Sequence, residues 1–400
     1  MRKRSMKKKG PEKGRRIYLD YAAATPLDSR VSKAMEPYWQ KDFGNPGALH
    51  REGVRARDAV LEARKSIARI LHAKTAEIIF TGSGTEANNL AIFGIIAARE
   101  REGILLSNLH AITTTIEHES VLECFRELAR RGMPVSYVIP DAHGVVSVEK
   151  IVKEITPATV LISVGYVNSE IGTIQPIRSL AKKLSELRQI HGSRPYVHTD
   201  ASQAATLLNC AVDRLEVDLL TLDAQKMYGP KGIGALYIRE GAILAPHIFG
   251  GGQERGIRSG TENVPLIVGF AKAYTLAVDM REREYVRLEK LQSLFRRLLK
   301  EGVPEVVQNG DEKEHLPSIV NVSLPGRDSE MLSLQLDAAG IAVTTKSACT
   351  EGSQKASPVV LALSGDRARA ESSLRFSFGR GTTVGEIKKA VEVLARIIDK

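Results

Sequence analysis

Residues 219–232 read LLTLDAQKMYGPKG, and this stretch decides the fold. Its first five residues are mostly apolar and end on Asp223, which is the pattern of a buried strand. Lys226 follows at once, among apolar and glycine residues, where the chain leaves the sheet. Desolvation in such surroundings lowers the pKa of a lysine and favours imine formation, whereas a surface lysine is the common alternative. The stretch therefore predicts a buried strand followed by a candidate reactive lysine.

Six further β-rich runs alternate with longer segments of helical periodicity, such as residues 85–99 (TEANNLAIFGIIAAR). The runs are residues 77–81 (EIIFT), 111–115 (AITTT), 135–140 (VSYVIP), 160–167 (VLISVGYV), 196–200 (YVHTD) and 235–239 (ALYIR). This alternation predicts an α/β fold with a mostly parallel seven-stranded sheet and helices on both faces. Ligands of such sheets bind beyond the carboxyl ends of the strands.

A change of pattern near residue 265 indicates two domains. A long charged amphipathic helix is predicted from about residue 265 to 299, and new strands begin at residues 319–324 (IVNVSL). We predict a large cofactor-binding domain of residues 29–275. A small α+β domain would combine residues 17–28 with residues 276–400, and residues 1–16 would form a disordered arm.

The arm carries nine Lys and Arg residues against one Glu, so most of the formal net charge of +10 lies there. Such an arm is able to touch nucleic acid or acidic lipid, but a solvated tail is the preferred interpretation and nucleic-acid binding is not expected. No stretch approaches the roughly 20 apolar residues of a membrane span, and no apolar signal core follows the arm. We expect a cytoplasmic protein without membrane contact.

Three cysteines are present, Cys124, Cys210 and Cys349, without a CxxC pair or a Cys/His cluster at metal spacing. No disulfide scaffold and no metal site are expected. Cys349 lies in the small polar stretch KSACTEGS, where Lys346 favours the thiolate. The other two cysteines have the context of packing residues, so Cys349 is the candidate nucleophile.

Residues 81–90 read TGSGTEANNL and predict a strand, a glycine-rich turn and the start of a helix. Backbone N–H groups and the helix dipole converge at such a point, which favours a phosphate. Gly82, Gly84 and Ala87 also fit a dinucleotide spacing, but the acidic residue that should end the next strand is missing. An ordinary strand-to-helix turn remains the other alternative.

Residues 196–203 read YVHTDASQ and place Asp200 at the end of an apolar strand. A carboxylate there is costly to bury unless a cation or a hydrogen-bond donor pairs with it. A protonated pyridine nitrogen is a suitable partner, and a turn or helix-capping Asp is the alternative.

Motifs from residue 17 to residue 380 resemble, in order and spacing, the cysteine desulfurases of the class-V aminotransferase superfamily, which are fold-type I pyridoxal-phosphate enzymes. The motifs are YLDYAAATP, FGNPGALH, TGSGTEANNLA, IEHESVL, YVNSEIGTIQP, HTDASQA, KMYGPKGIGALY, GGGQERGIRSGTEN, SACTEGS and SSLRFSFGRGTT. The loop from residue 347 to 380 is most similar to the longer-loop housekeeping group.

The resemblance implies a role for each matching residue. Lys226, Cys349 and His118 would be catalytic, with Lys226 bound covalently to pyridoxal 5'-phosphate and His118 stacked on its ring. Asp200 would pair with the ring nitrogen, Gln203 with the ring hydroxyl, and Gly84, Thr85, Gln225 and a Thr261 from the partner of a homodimer with the phosphate. The residues implied at the amino-acid substrate are Asn45, Asn168 and Arg375, and Asn168 would also touch the cofactor.

Three positions depart from the family. Asp223 and Gln225 stand where family members commonly have a small hydroxyl residue and a histidine, and Lys346 replaces a usual glycine. An ionised Asp223 would repel the phosphate, so either it points elsewhere or the cofactor is held less tightly.

The expected function is removal of sulfur from L-cysteine, giving L-alanine and a persulfide on Cys349. A sulfur-acceptor protein such as an iron–sulfur scaffold would then collect the sulfur for cluster assembly or tRNA thiolation. Alternatives are a selenocysteine lyase or cysteine-sulfinate enzyme, a class-V aminotransferase, and a cofactor-free scaffold in a sulfur-transfer complex.

Overall fold

The computed structural model describes residues 16–191, 195–345 and 356–399. Strands in these ranges form three sheets. They are β1 (Ile17–Tyr18), β2 (Ile78–Thr81), β3 (His110–Thr114), β4 (Val135–Val138), β5 (Thr159–Ser163), β6 (Tyr196–Asp200), β7 (Leu219–Asp223), β8 (Gly234–Ile238), β9 (Val307–Asn309), β10 (Ile319–Ser323), β11 (Ile341–Ala342) and β12 (Ser373–Ser377).

Helices connect and cover these strands, and most begin at a residue whose side chain caps the first turn, such as Ser83 and His118. They are α1 (Ser29–Met35), α2 (Pro37–Gln40), α3 (Arg51–Leu71), α4 (Gly84–Arg101), α5 (Glu119–Arg130), α6 (Val148–Lys153), α7 (Ile177–His191), α8 (Val212–Leu215), α9 (Val264–Gly302), α10 (Ser329–Ala338), α11 (Pro358–Ser364), α12 (Arg367–Glu371) and α13 (Val384–Ile398).

The main sheet has seven strands in the order β2-β8-β7-β6-β5-β3-β4. Six of them run in one direction, and β8 is antiparallel to both β2 and β7. Each of the seven predicted runs supplies one of these strands, so the predicted mostly parallel sheet is confirmed. β6 and β7 are direct neighbours, which brings the residues after Asp200 and after Asp223 to the same edge.

Apolar side chains fill both faces of this sheet because successive residues of a strand point to opposite sides. Leu219 packs in the cluster that includes residues of α4 and α5, such as Leu90 and Phe125. Leu220 packs in the larger cluster on the other face, which includes Phe270 of α9. Helices therefore cover both faces, as predicted.

The C-terminal region has its own small sheet, in which β10 pairs antiparallel with β9 and β12. β1 pairs in parallel with β11, so the N-terminal segment lies beside the C-terminal region. The predicted domain boundary at residues 275 and 276 falls inside α9, which is continuous across it. The division into two domains stays a prediction.

None of the described helices combines the length and apolar content that crossing a bilayer requires.

Candidate functional site

A cavity of about 220 Å³ lies at the carboxyl edge of the main sheet. It is lined by the turns that follow β2, β3, β5, β6 and β7, by the N-terminal segment at Ala22 and Ala23, and by one residue of β12. The predicted site residues that line it are Gly84, Thr85, His118, Asn168, Asp200, Gln203, Gln225, Lys226 and Arg375. The fold thus brings together residues that are nearly 300 positions apart in sequence.

Lys226 lies on the single helical turn that follows β7. Its Nζ donates hydrogen bonds to the backbone oxygens of Ala22 at 2.8 Å and Ala23 at 2.7 Å. The turn closes tightly at Gly229, because a Cβ added there would lie 2.7 Å from the backbone oxygen of Ala224. The turn therefore holds the lysine amine at the cavity wall in a fixed position.

Asp200 ends β6 and faces the same cavity. Its Oδ1 accepts a hydrogen bond from the Ser202 N–H at 2.9 Å, and its Oδ2 accepts one from Asn88 Nδ2 at 2.8 Å. Asn88 is almost fully buried on α4 and also donates to Ser120 Oγ at 2.8 Å. Donors therefore fix both oxygens of this carboxylate, and a carboxylate held in this way suits a protonated ring nitrogen.

His118 caps α5 at the cavity wall. Its Nδ1 accepts a hydrogen bond from the Ser120 N–H at 3.1 Å, so a neutral ring carries its hydrogen on Nε2. Burial lowers the pKa of His118, and the nearby Asp200 charge opposes this only in part. The lowered pKa favours the neutral ring, which lines the cavity without adding a charge.

Arg375 of β12 is 1% exposed and also lines the cavity. Its guanidinium donates to the Ser169 backbone oxygen at 2.9 Å and to Asp20 Oδ1 at 3.0 Å. Its Nε is buried and has no partner among the described residues. An anionic group in the cavity would give this donor an acceptor.

Asn168 reaches the cavity, but its side chain also builds the local turn. The amide Nδ2 donates to the Ile116 oxygen at 2.7 Å. The amide oxygen accepts from the N–H groups of Glu170 and Ile171 at 2.9 and 3.0 Å. One hydrogen of the Asn168 amide group remains available for a ligand.

Residues 17–390 match the class-V aminotransferase family. A cysteine desulfurase IscS of Dictyoglomus turgidum is 41% identical over 386 residues, which cover 96% of this chain and 95% of the relative. A putative cysteine desulfurase IscS 1 of Bacillus subtilis is 40% identical over 96% of this chain and 99% of its own. A solved NifS-like protein superposes with a TM-score of 0.88 at 33% identity, over 96% of this chain and 99% of its own.

The chain belongs to the cysteine desulfurase family. Enzymes of this family use pyridoxal phosphate, and the cavity fits that cofactor. A lysine amine, a carboxylate with stabilising donors and a flat histidine ring line one enclosed space, and the N-terminus of α4 opens into it at Gly84 and Thr85. Gln203 also lines the cavity, where its Nε2 donates to the Ala22 oxygen at 2.9 Å.

Two predicted residues lie outside the cavity of their own chain. Asn45 is exposed, and its Oδ1 accepts a hydrogen bond from the Gly47 N–H at 2.9 Å, so it stabilises a turn. Thr261 is also exposed and is not among the cavity residues. Neither residue contacts a ligand site within one chain, and their predicted roles would need a second subunit or a rearranged loop.

The candidate nucleophile Cys349 and its neighbour Lys346 lie outside the described residues. Cys124 and Cys210 are both buried free thiols, and burial raises the pKa of each to about 12. Cys124 also donates to the Ser120 oxygen at 3.1 Å. These two side chains have the properties of packing residues, as predicted from their context.

Three cavity residues or their partners were missed by the sequence analysis, namely Asn88, Asp20 and Glu117. Glu117 accepts hydrogen bonds from Thr114 Oγ1 at 2.7 Å and from the Gly165 N–H at 2.8 Å, and desolvation raises its pKa to about 7. The three belong to the quoted motifs TGSGTEANNLA, YLDYAAATP and IEHESVL. Each is a polar residue within or next to an apolar run, which is the signal that could have identified it.

Asp223 lies beside the start of α4. A Cβ added at Gly84 would lie 3.2 Å from Asp223 Oδ2. The Gln225 side chain is occupied too, because its Nε2 donates to Asp223 Oδ2 at 3.0 Å. Asp223 is therefore close to the predicted phosphate position, and whether the cofactor is held less tightly stays a prediction.

Proposed function

We propose that this chain acts as a cysteine desulfurase, converting L-cysteine and the Cys349 thiol into L-alanine and a Cys349 persulfide. The observation that carries this proposal is the meeting of Lys226, Asp200, the N-terminus of α4 and Arg375 in one cavity. Atoms and electrons balance without a further oxidant, because the sulfur atom simply passes from the substrate carbon to the enzyme thiol.

Lys226 is the covalent attachment point of the cofactor in this proposal and the base that accepts the proton from the substrate Cα. The bound cofactor supplies an electron sink for that step. Asp200, with its two hydrogen-bond donors, keeps the ring nitrogen protonated. The Ala22 and Ala23 oxygens provide acceptors for the lysine ammonium whenever it is free of the cofactor.

Arg375 and Asn168 hold the substrate carboxylate. The Arg375 guanidinium is already fixed by the Ser169 oxygen and Asp20, and its Nε still needs an acceptor. Such a preorganised planar donor suits a carboxylate. His118 would lie beside the ring of the bound cofactor, and its Nε2–H would donate a hydrogen to the sulfur that leaves the substrate.

Cys349 is the proposed sulfur acceptor because the other two thiols are unsuited to it. Their raised pKa values leave almost no thiolate at neutral pH. A second protein then takes the sulfur from Cys349, and an iron–sulfur scaffold or a tRNA-thiolation carrier is the proposed acceptor. The chemistry needs reduced thiols, which supports a cytoplasmic location. A homodimer is proposed as well, because Thr261 is exposed outside the cavity of its own chain and would reach a phosphate only in a second subunit.

The test measures alanine and sulfide released from L-cysteine in the presence of a reductant. The intact chain is compared with Lys226→Ala and Cys349→Ala, and Cys210→Ala is the control for loss of a thiol. We expect Lys226→Ala to lose the visible absorbance of bound cofactor. Both Lys226→Ala and Cys349→Ala should lose turnover, while Cys210→Ala keeps it.

Two results would contradict the proposal. Absence of cofactor binding and of alanine in the intact chain would favour the scaffold alternative. Normal turnover in Cys349→Ala would instead favour an enzyme that releases sulfur or selenium without a persulfide.

A further inference from the structure

Asp223 is buried at the end of β7, 7% exposed, and contacts the start of α4. A Cβ built on Gly84 would lie 3.0 Å from Asp223 Cβ, 3.2 Å from its Oδ2 and 3.3 Å from Ser202 Oγ. The carboxylate accepts hydrogen bonds from Gln225, at 3.1 Å from the backbone N–H and at 3.0 Å from Nε2. The side chain is therefore fixed in this position and is not a freely rotating surface acid.

The start of α4 is the part of the cavity suited to an anion. Ser83 Oγ caps the Glu86 N–H at 3.1 Å, and the N–H groups of Gly84 and Thr85 begin the helix without an intrahelical acceptor. These groups carry the partial positive charge of the helix N-terminus. In this chain a carboxylate already faces that charge.

The cation that approaches the preceding glycine, Gly82, is already paired with another carboxylate. The Arg258 guanidinium approaches Gly82, but its Nε donates to Glu86 Oε1 at 2.8 Å, so the two side chains neutralise each other. Gln225, which could have donated to a phosphate, donates to Asp223. A phosphate with about two negative charges therefore meets a fixed negative charge at the place that should attract it.

We propose that Asp223 is an internal competitor of the cofactor phosphate, which weakens phosphate binding at α4 and reduces the preference of the site for phosphorylated over unphosphorylated pyridoxal. This inference rests on the cofactor of the proposed function. Asp223 lies beside the start of α4, at the phosphate end of the site, and is not one of the residues proposed to touch the reacting atoms. The protein would consequently exchange its cofactor readily.

The experiment measures dissociation constants of the full-length apoprotein for pyridoxal phosphate and for pyridoxal, by absorbance and fluorescence titration. Asp223→Asn removes the charge with little change of shape, and Asp223→Ser also supplies a hydroxyl donor. Asp279→Asn is the charge control, because Asp279 is exposed on α9 and is not among the cavity residues. Circular dichroism checks that each variant is folded.

We expect both Asp223 variants to bind pyridoxal phosphate about tenfold or more tightly than the intact chain, since a charge repulsion at close range is removed. Their affinity for pyridoxal should stay within about twofold, and inorganic phosphate should compete more strongly in both variants. Asp279→Asn should leave both constants unchanged.

The ratio of the two dissociation constants decides the outcome. An equal gain for pyridoxal and pyridoxal phosphate, or no gain for either, would overturn the inference while leaving the proposed function intact. Failure of the intact chain and of both variants to bind either ligand would overturn the proposed function together with the inference.

Discussion

Glu254 is a buried carboxylate that fixes the loop before α9. Its side chain is 2% exposed and accepts two hydrogen bonds from Arg64 at 2.6 Å and one from the Phe80 N–H at 2.9 Å. Glu254 and Arg255 also adopt positive φ angles of 47° and 62°, so the loop needs such contacts to hold its shape.

We expect Glu254→Gln to lower the free energy of unfolding by about 3–5 kcal/mol, because the substitution leaves the Arg64 charge buried without its partner. Urea unfolding followed by circular dichroism measures this loss. Glu127→Gln is the matched control, since Glu127 binds Arg130 with similar geometry at a side chain that is 39% exposed. The control should lose far less, because its ion pair is exposed to solvent, and an equal loss in both variants would show that burial is not the cause.

Glu117 makes stability depend on pH. Its pKa is raised by desolvation to about 7 in the folded chain, from a usual value of 4.5. The folded chain therefore binds this proton more tightly than the unfolded chain does. Protonation of Glu117 stabilises the fold fully below the unfolded pKa, and this contribution is lost as the pH rises through about 7.

Glu117→Gln removes this dependence, because glutamine does not titrate. The difference in unfolding free energy, variant minus intact chain, should therefore rise by about 2 kcal/mol from pH 5 to pH 8. Parallel urea titrations at the two pH values measure the difference. Glu282→Gln, at an exposed position of α9, is the control. A difference between Glu117→Gln and the intact chain that does not change with pH would contradict the prediction.

At the scale of elements, the turn after β7 determines the position of the reactive amine. A Cβ at Gly229 would lie 2.7 Å from the Ala224 oxygen and 3.1 Å from Ala273 Cβ, so the turn cannot keep its shape with any larger residue. We expect Gly229→Ala to lower turnover about a hundredfold, since a displacement near 1 Å is enough for that.

The visible absorbance of the bound cofactor should fall with turnover in Gly229→Ala, while circular dichroism shows a folded protein. Gly302→Ala is the control, because an added Cβ at this end of α9 meets only ordinary contacts at 3.7 Å. Normal cofactor binding by Gly229→Ala would mean that the turn tolerates a shift.

The sequence predicts elements better than it predicts side-chain partners. The seven runs of the main sheet and the long helix from about residue 265 are periodic and apolar, and they appear as β2–β8 and α9. Lys226 and Asp200 follow strands, so their meeting at one edge was predictable. The pairing of Asn88 with Asp200 and of Asp20 with Arg375 was not, because it depends on strand order and on which helix face is buried.

At the scale of the whole molecule, the N-terminal segment connects the C-terminal region with the site. β1 pairs with β11, and Asp20 binds Arg375 of β12. The backbone oxygens of Ala22 and Ala23 accept hydrogen bonds from Lys226. One short segment thus contacts both the proposed substrate clamp and the proposed cofactor lysine. Removal of residues 17–23 should therefore abolish cofactor and substrate binding together.

Thr261 allows a test of whether two chains build each site. It is exposed, and it lies three residues after Arg258, which Glu86 holds beside Gly82 of its own chain. If Thr261 binds the phosphate of a partner subunit, Thr261→Ala should weaken cofactor binding about tenfold by the loss of one hydrogen bond to a charged group.

Mixed dimers of Thr261→Ala and Lys226→Ala chains decide where Thr261 acts. The site that keeps Lys226 then receives an intact Thr261 from the other chain, so it should regain the cofactor affinity of the unmodified protein. Borohydride reduction followed by mass spectrometry measures the cofactor fixed to each chain, and the Thr261→Ala homodimer is the reference. The Thr261→Ala chain could instead carry the same amount of cofactor in the mixed dimer as in the Thr261→Ala homodimer. Thr261 would then act within its own chain, because the intact Thr261 of the Lys226→Ala chain would have restored nothing.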